Sequence, residues 1–282
     1  MASSGCIWRK AASAAWLAQH SARLDEKTRG GYAVIERPNG KRVQVEAFCQ
    51  HRRDARVLVT DFGGSIADLS SGWQARFFSA AKTKPIRAGN RLIVASDAAD
   101  LPKDASVTRR LIIPAGAAFG TGEHATTAMS LRMLERVTRR LPAGWRMLDA
   151  GTGSGILALA GRCFGAGEVI AIENDPLAIS VAKENARANG IRDITFITAD
   201  VTRRVPGKFD IISANLFSEL LIATLPNWRK SLAAAGRLIL SGVLRKQEPD
   251  LMNALGRNGF EAMEIRRRGK WIAVLAASTS YS

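Results

Sequence analysis

The sequence predicts a Rossmann-like α/β fold, in which a parallel sheet covered by helices ends in an antiparallel hairpin, preceded by a small α+β domain. Three observations predict it. From residue 146 onwards, apolar strand-like runs alternate with helical segments. A glycine-rich turn, Gly151-Thr-Gly-Ser-Gly155, follows the first of these runs. The last two strand-like runs, residues 261–267 and 271–276, are separated by only three residues, so no helical crossover fits and they must pair antiparallel.

The composition of the 282 residues excludes several classes of protein. Arg162 interrupts the best candidate for a membrane span before it reaches the roughly 18 apolar residues required. No secretion signal follows Arg9 and Lys10. The 3 cysteines lie far apart without a metal-binding spacing, so the sequence predicts no metal site. We therefore expect a cytoplasmic protein without a membrane partner.

The net charge of +16 is spread over the whole chain rather than gathered in one tail. Such a distribution raises the encounter rate with acidic or RNA-rich partners, but it is also typical of a protein from a basic proteome. We expect a monomer with no stable nucleic-acid partner.

Residues 1–96 predict a small α+β domain, because strand-like and helical segments alternate there without a nucleotide-binding loop. Pro38-Asn-Gly40 is typical of a hairpin turn, since asparagine and glycine tolerate positive φ angles. The predicted elements are a helix over 11–24, hairpin strands Tyr32–Glu36 and 42–48, a strand over 57–60, a helix over 65–78 and a strand over 91–96. The expected role of this domain is to hold the substrate.

Residues 97–123 predict a linker followed by a loop that covers a cofactor. Pro102 and several acids mark the linker, and the run Phe119-Gly-Thr-Gly-Glu-His-Ala-Thr-Thr127 precedes a helix predicted over 129–137. Small and hydroxyl residues of this kind form flexible loops and cap helices. Two interpretations remain open. The threonines only cap the helix, or the loop brings hydroxyl and N–H groups over the carboxylate and ammonium end of a cofactor.

The spacing of the glycine turn indicates the kind of cofactor. A dinucleotide site has the pattern Gly-x-Gly-x-x-Gly, which seats a pyrophosphate on a helix N-terminus. Here the glycines are at 151, 153 and 155, so the third comes one residue early, and Asp149 precedes them. This pattern is typical of S-adenosylmethionine sites and makes the main chain of Gly151 and Gly153 candidate cofactor contacts. The alternative is an ordinary glycine-rich turn between a strand and a helix.

The second helix after this turn has the clearest boundaries in the sequence. Asp175 suits its N-cap, Pro176 suits its first position, and Gly190 suits the residue just past its end. The other elements predicted from residue 146 are strands Arg146–Ala150, Glu168–Glu173, Ile194–Thr198, Phe209–Asn215 and 237–240, and helices over 156–164, 176–189, 218–225 and 249–258.

Polar side chains at the ends of the predicted strands are candidate ligand contacts, because ligands bind at the carboxyl ends of parallel strands. Glu173, about 22 residues after Gly151, suits the acid that accepts hydrogen bonds from ribose hydroxyls. The alternative role for Glu173 is to cap the following helix, although Asp175 already suits that position. Asp200 can accept from an adenine amino group or serve only in a turn. Asn215 offers a donor and an acceptor to the cofactor or to an amine nucleophile, or it caps the next helix.

Five motifs together resemble the PrmA family, the S-adenosylmethionine-dependent methyltransferases of large-subunit ribosomal protein eleven. The motifs are Ala118-Phe-Gly-Thr-Gly-x-His-x-Thr-Thr127, Leu148-Asp-x-Gly-Thr-Gly-Ser-Gly-Ile-Leu157, Asn185-Ala-x-x-Asn-Gly190, Ala214-Asn-Leu216 and Leu240-Ser-Gly-Val-Leu244. The resemblance covers roughly residues 73–276 and implies a class I methyltransferase domain over 124–282. It implies methylation of lysine and N-terminal amines of that ribosomal protein, with cofactor contacts at Thr127, Gly151, Glu173 and Asn215.

The chain departs from the family pattern in three places. Pro114-Ala-Gly116 stands where members commonly have Asp-Pro-Gly, and Glu173 replaces the more usual aspartate while keeping the carboxylate. Residues before about 70 show little resemblance, and this is the part that grips the ribosomal protein in the family.

The resemblance implies a displacement reaction that needs no metal, and the sequence offers no assigned catalytic acid or base. His124 lies in the loop before the threonines, where a structural role is expected. One alternative is a methyltransferase of the same fold that acts on another protein, RNA or a small molecule. Another is a non-catalytic RNA or ribosome binder, and the glycine spacing disfavours a nicotinamide enzyme.

Overall fold

The computed structural model describes residues 6–28, 32–36, 42–49, 51–68, 84–102, 107–114 and 125–279. The chain divides into two units, Met1–Phe77 and Phe78–Ser282. The sequence predicts a domain boundary at residue 96. Apolar side chains between residues 86 and 113, such as Leu92 and Leu111, pack in the same hydrophobic cluster as the second unit's helices and strands.

The first unit contains an antiparallel sheet with two helices. Its elements are β1 Cys6–Ala12, α1 Ala14–Thr28, β2 Tyr32–Glu36, β3 Val43–Cys49, α2 Arg52–Phe62 and β4 Ser65–Asp68. The strand order is β2-β3-β1-β4. Trp8, Leu24, Val45 and Leu58 are buried in its core. The predicted hairpin of β2 and β3 is confirmed, and its Pro38-Asn-Gly40 turn lies outside the described residues.

Two element predictions in this unit were wrong, and the helix predicted over 11–24 is confirmed with a later start. The helix predicted from residue 11 begins later because Ala11 and Ala12 pair with β3, and the Ser13 hydroxyl accepts from the N–H of Trp16 at the helix start. The strand predicted over 57–60 lies inside α2, whose buried residues recur at helical spacing. The helix predicted over 65–78 begins as strand β4, which pairs with β1, and residues 69–83 lie outside the described residues.

The second unit begins with a small sheet of β5 Ile86–Ala88, β6 Leu92–Ala95 and β7 Arg109–Ile112. Strand β6 confirms the strand predicted over 91–96. Strand β7 lies parallel to β6, inside the segment predicted as linker and loop. That segment also contains a short 3-10 helix, Ala98–Asp100. Pairing with β6 makes residues 109–112 part of the fold rather than a connection.

The main sheet of the second unit has seven strands. They are β8 Arg146–Ala150, β9 Glu168–Glu173, β10 Ile194–Thr198, β11 Phe209–Asn215, β12 Leu232–Leu244, β13 Phe260–Arg268 and β14 Trp271–Ser278. Their order is β10-β9-β8-β11-β12-β14-β13. The first five are parallel, and β14 runs antiparallel to both neighbours. The predicted parallel sheet with a closing antiparallel hairpin is confirmed.

The described residues of this unit also form five α-helices: α3 Ala125–Thr138, α4 Ile156–Cys163, α5 Pro176–Ala188, α6 Ser218–Ser231 and α7 Glu248–Arg257. Successive strand residues alternate between two buried clusters, as Met147 and Leu148 do, so both faces of the sheet are covered. Helix α6 continues past its predicted end at residue 225 through Pro226, because Leu225 and Trp228 are buried on the same face. Strand β12 is likewise longer than predicted.

None of the described helices is long and apolar enough to cross a membrane. No group of three or more His, Cys, Asp or Glu side chains in the described part of the chain is placed to hold a metal ion.

Candidate active site

A pocket lies at the carboxyl ends of β8, β9 and β11, the edge where open parallel sheets bind ligands. The pocket has a cavity volume of about 250 Å³ and is partly open to solvent. Five of the six predicted site residues line it: Thr127, Gly151, Gly153, Glu173 and Asn215. The other lining residues are Thr152, Ile156, Leu157, Leu216, Phe217, Gly242 and Trp271. The fold thus brings together residues from six separate segments of the sequence.

The glycine turn forms the floor of this pocket between β8 and α4. Its glycines have left-handed φ angles of 72° at Gly151, 52° at Gly153 and 84° at Gly155, which side-chain-bearing residues rarely adopt. The N–H groups of Gly151 and Thr152 donate to the carbonyl of Ile172 at 2.9 and 3.0 Å. These bonds fasten the turn to the end of β9, so main chain rather than side chains faces the ligand.

The Glu173 carboxylate is held over this turn. One oxygen, Oε2, accepts from the N–H of Gly153 at 3.2 Å, and Oε1 accepts from the N–H groups of Asn174 and Asp175 at 2.8 and 3.3 Å. Asp175 caps α5 by accepting from the N–H of Leu177 at 2.8 Å, as predicted. Glu173 is therefore not the helix cap, and its remaining lone pairs can accept from hydroxyl groups of a ligand.

The acid that precedes the turn, Asp149, acts inside the protein. Its Oδ2 accepts from the Thr152 hydroxyl at 2.7 Å and from the N–H of Ala158 at 3.2 Å, while Oδ1 accepts from the Ser213 hydroxyl. Complete burial raises the pKa of this carboxyl from 3.8 to about 6, against the lowering effect of these hydrogen bonds. Asp149 thus joins the glycine turn, the first turn of α4 and strand β11, and it positions the pocket wall.

Asn215 and Thr127 meet at another wall of the pocket. The Asn215 amide donates to the Thr127 hydroxyl at 3.4 Å, and Asn215 Oδ1 is buried without a hydrogen-bond partner in the described structure. Leaving a buried acceptor unpaired costs about 1–3 kcal/mol, so this oxygen is suited to a donor from a ligand. Thr127 lies in the first turn of α3 rather than in the loop, and residues 115–124 with His124 lie outside the described residues.

Asp200, the sixth predicted residue, is exposed and is not among the residues that line the pocket. Its Oδ1 accepts from both the N–H and the hydroxyl of Thr202 at 2.8 Å. The hydrogen bond from the Thr202 N–H is the main reason that the pKa of this carboxyl lies below its usual range. The structure therefore shows the turn role that the sequence left as the alternative.

Leu216 is a pocket residue that sequence reasoning did not assign. A Cβ added to Gly151 would lie 2.3 Å from Leu216 Cδ2, and one added to Gly242 would lie 2.4 Å from the Leu216 carbonyl oxygen. The N–H of Leu216 also donates to the backbone carbonyl of Ser241 at 3.0 Å. Gly151, just after β8, and Gly242, inside β12, therefore make room for one leucine. The signal was Gly242 itself, since a glycine inside a strand often marks close backbone approach.

The electrostatics of the pocket favour a cationic ligand without phosphate groups. Glu173 is the one formally charged side chain among the described lining residues, which include neither Lys nor Arg. Isoleucine, leucine and aromatic side chains supply most of the remaining surface. S-adenosylmethionine meets these conditions, because it carries ribose hydroxyls, a sulfonium and an ammonium but no phosphate. The unpaired Asn215 oxygen adds a site for one of its donors.

The strand order, the glycine turn and the carboxylate at the end of β9 define a class I S-adenosylmethionine-dependent methyltransferase. Comparison with known proteins gives the family. The family model for ribosomal protein L11 methyltransferases (PrmA) matches residues 27–279 of this sequence. The chain belongs to that family. The fold and the cofactor implied by the sequence motifs are thereby confirmed.

Individual relatives agree with this assignment. The ribosomal protein L11 methyltransferase of Pelotomaculum thermopropionicum is 35% identical over 93% of this chain and 83% of its own length. That of Pelobacter propionicus is 37% identical over 74% of this chain, but the match spans 66% of the relative, slightly less than two thirds. A crystal structure of ribosomal protein L11 methylase from Lactobacillus delbrueckii subsp. bulgaricus has a TM-score of 0.63 and 31% identity, covering 70% of this chain and all of that one.

Proposed function

We propose that this enzyme transfers methyl groups from S-adenosylmethionine to lysine side-chain and N-terminal amines of large-subunit ribosomal protein L11. The observation that carries the proposal is the placement of Glu173 and Asn215 in one pocket with the glycine turn. The family supports the acceptor, since the relatives described above are named for L11. As part of this proposal, the enzyme acts as a monomer in the cytoplasm, without a nucleic-acid or membrane partner.

The proposed cofactor contacts follow from the geometry of the pocket. Glu173 accepts hydrogen bonds from the ribose hydroxyls, and the main chain of Gly151 and Gly153 lies against the nucleoside. The Thr127 hydroxyl and the Asn215 amide contact the amino-acid end. For Asp200, the turn bonds occupy Oδ1, so a contact with the adenine amino group would use Oδ2.

The cofactor, when bound, supplies a methyl group attached to a positively charged sulfur. The lone pair of the acceptor amine forms the new N–C bond while the C–S electron pair stays on sulfur. The proton that the amine then loses passes to water. The protein's part is orientation and exclusion of water, effects that reach about 7–11 kcal/mol in favourable intramolecular reactions. A lysine with a pKa near 10.4 is mostly protonated at neutral pH, and the apolar walls formed by Ile156, Leu157 and Leu216 favour its neutral form. We assign no general base among the described lining residues.

Two other parts of the chain have proposed roles. The first unit recognises the ribosomal protein, and the segment 97–123 carries the loop that covers the cofactor. The supporting observation is that helix α3, which follows this loop, places Thr127 in the pocket wall. In this proposal the first unit binds the ribosomal protein, and the second unit carries the pocket in which the methyl group is transferred.

A transfer assay tests the proposal. Purified enzyme is incubated with S-adenosylmethionine labelled on its methyl group and with L11, and we expect label on L11 at lysine and N-terminal amines by mass spectrometry. Loss of transfer by Asn215→Ala, with an unchanged melting temperature, assigns the activity to this pocket. Calorimetric cofactor binding without label on L11 would refute the substrate, and labelling of a cell lysate would then identify another protein, RNA or small molecule as the acceptor.

A further inference from the structure

Phe217 is unusual among the apolar side chains of this protein. It is 75% exposed, more than any other large apolar residue described, with Met263 next at 56%. It also lines the pocket, directly after the Asn215-Leu216 segment. An aromatic ring kept in water forgoes a large burial energy, and exposed apolar surface beside a cleft often marks a binding site.

The backbone holds Phe217 in one place. It is the N-cap of α6, with φ of −63° and ψ of 150°, and its carbonyl accepts from the N–H of Leu221 at 3.0 Å. On its other side Leu216 lies between Gly151 and Gly242. The backbone of Phe217, and with it the base of its side chain, is therefore held at a fixed position two residues beyond Asn215.

A neighbouring ring of the same pocket already contacts a primary ammonium. Trp271 lines the pocket, and the Nζ of Lys270 lies 5.3 Å from its ring centroid. A lysine ammonium over an aromatic face is attracted by the ring quadrupole. The only formal charge among the described lining residues, on Glu173, also favours cations. The walls of this pocket are thus suited to an amine and its cationic forms.

From these observations we infer that Phe217 binds the acceptor amine, with its ring packed against the lysine side chain that is to be methylated. This inference rests on the proposed function, since it deepens the description of the same pocket. An aromatic face needs no N–H donor from its ligand, so it holds a lysine after one or two methyl groups have replaced its hydrogens. Phe217 therefore determines both acceptor affinity and the extent of methylation.

Binding of a lysine probe tests this role without relying on L11. The protein saturated with S-adenosylhomocysteine is titrated with Nε-dimethyl-lysine amide and followed by NMR chemical shifts. We expect Phe217→Ala to weaken binding by about tenfold, while Phe217→Tyr retains it. Met263→Ala is the matched control, because it removes an exposed apolar side chain outside the pocket. Calorimetry with S-adenosylhomocysteine sets the concentration that keeps each of the three variants saturated during the titration.

With L11 as acceptor, Phe217→Ala should raise KM about tenfold and shift the products towards monomethylated lysine. Equal probe affinity in wild type and Phe217→Ala overturns the inference, and so does a wild-type enzyme that binds no probe. If the probe binds through Phe217 but L11 receives no methyl group, the inference stands and the proposed acceptor fails. Because Phe217 is mostly exposed, its truncation should leave the melting temperature unchanged, which excludes misfolding as the cause.

Discussion

The side-chain amide of Asn215 lies 3.4 Å from the hydroxyl of Thr127, and the carbonyl oxygen of the same amide is buried without a described partner. The pair joins the end of β11 to the first turn of α3 across the pocket wall. It leaves one acceptor unsatisfied at the place where we put the amino-acid end of the cofactor.

We expect Asn215→Ala to lower the affinity for S-adenosylmethionine by about tenfold, equivalent to about 1.4 kcal/mol. The variant removes the donor to Thr127 and the acceptor that a ligand would satisfy. Titration calorimetry measures the change. Asn258→Ala is a suitable control, since that amide donates to Ala254 outside the pocket. Equal losses in both variants would contradict a specific role for Asn215.

Glu173→Gln should also weaken cofactor binding by about tenfold or more. Three backbone N–H groups donate to the carboxylate. In Glu173→Gln the side-chain NH2 group would face at least one of these N–H donors, and the negative charge would be lost. The dissociation constant of S-adenosylhomocysteine reports this directly. Glu184 is exposed on α5, so Glu184→Gln is the control for the loss of one acidic group. The affinity of this control for S-adenosylhomocysteine should match that of the wild type. An unaffected Glu173→Gln enzyme would refute the ribose contact.

Asp149 makes the stability of the fold depend on pH. Burial raises its pKa from 3.8 to about 6, so the folded protein holds this proton more tightly than the unfolded chain does. The resulting stability is present below about pH 4, is lost as the pH rises to about 6, and amounts to about 3 kcal/mol. Asp149→Asn can keep the hydrogen bonds without the charge, because the Ser213 hydroxyl can accept instead of donate.

Urea unfolding between pH 4 and 7 tests this effect. We expect the unfolding free energy of Asp149→Asn, relative to wild type, to rise with pH by about 3 kcal/mol over that range. Glu184→Gln, exposed on α5, controls for the removal of one acid. A difference between Asp149→Asn and wild type that stays constant with pH would show that burial does not perturb this carboxyl.

Gly242→Ala and Gly190→Ala separate backbone strain from a steric clash. Both glycines have positive φ, 88° and 64°, but a Cβ at Gly242 would lie 2.4 Å from the Leu216 carbonyl oxygen and one at Gly190 meets nothing within 4 Å. Gly190→Ala should cost about 1–2 kcal/mol from the backbone alone. Gly242→Ala should cost more and should weaken cofactor binding, since Leu216 and its neighbours must move. Equal costs with unchanged affinity would contradict the packing described for Leu216.

Much of the second unit could be predicted from its sequence. Strands β8 to β11 have the predicted bounds because each is a short run rich in apolar residues. Asp175, Pro176 and the glycine after α5 mark that helix locally. Strand ends also predicted that Glu173 and Asn215 share the pocket, since parallel strands finish at one edge of the sheet, but the same reasoning did not hold for Asp200, which does not line it.

Elements that depend on distant partners could not be predicted in this way. The short apolar run at residues 57–60 suits a strand or a helix, and packing of Leu58 and Phe62 selects the helix. Strands β4 and β7 exist because β1 and β6 offer them an edge. In the pocket, the interior role of Asp149 and the position of Leu216 follow from contacts between residues far apart in sequence.

A crystal structure with S-adenosylhomocysteine tests most directly whether this pocket holds the cofactor. We expect the ribose hydroxyls to lie within hydrogen-bond distance of Glu173, with the amino-acid end of the ligand beside Thr127 and Asn215. Ligand bound elsewhere on the chain, or bound here with its ribose turned away from Glu173, would contradict the assignment of this site.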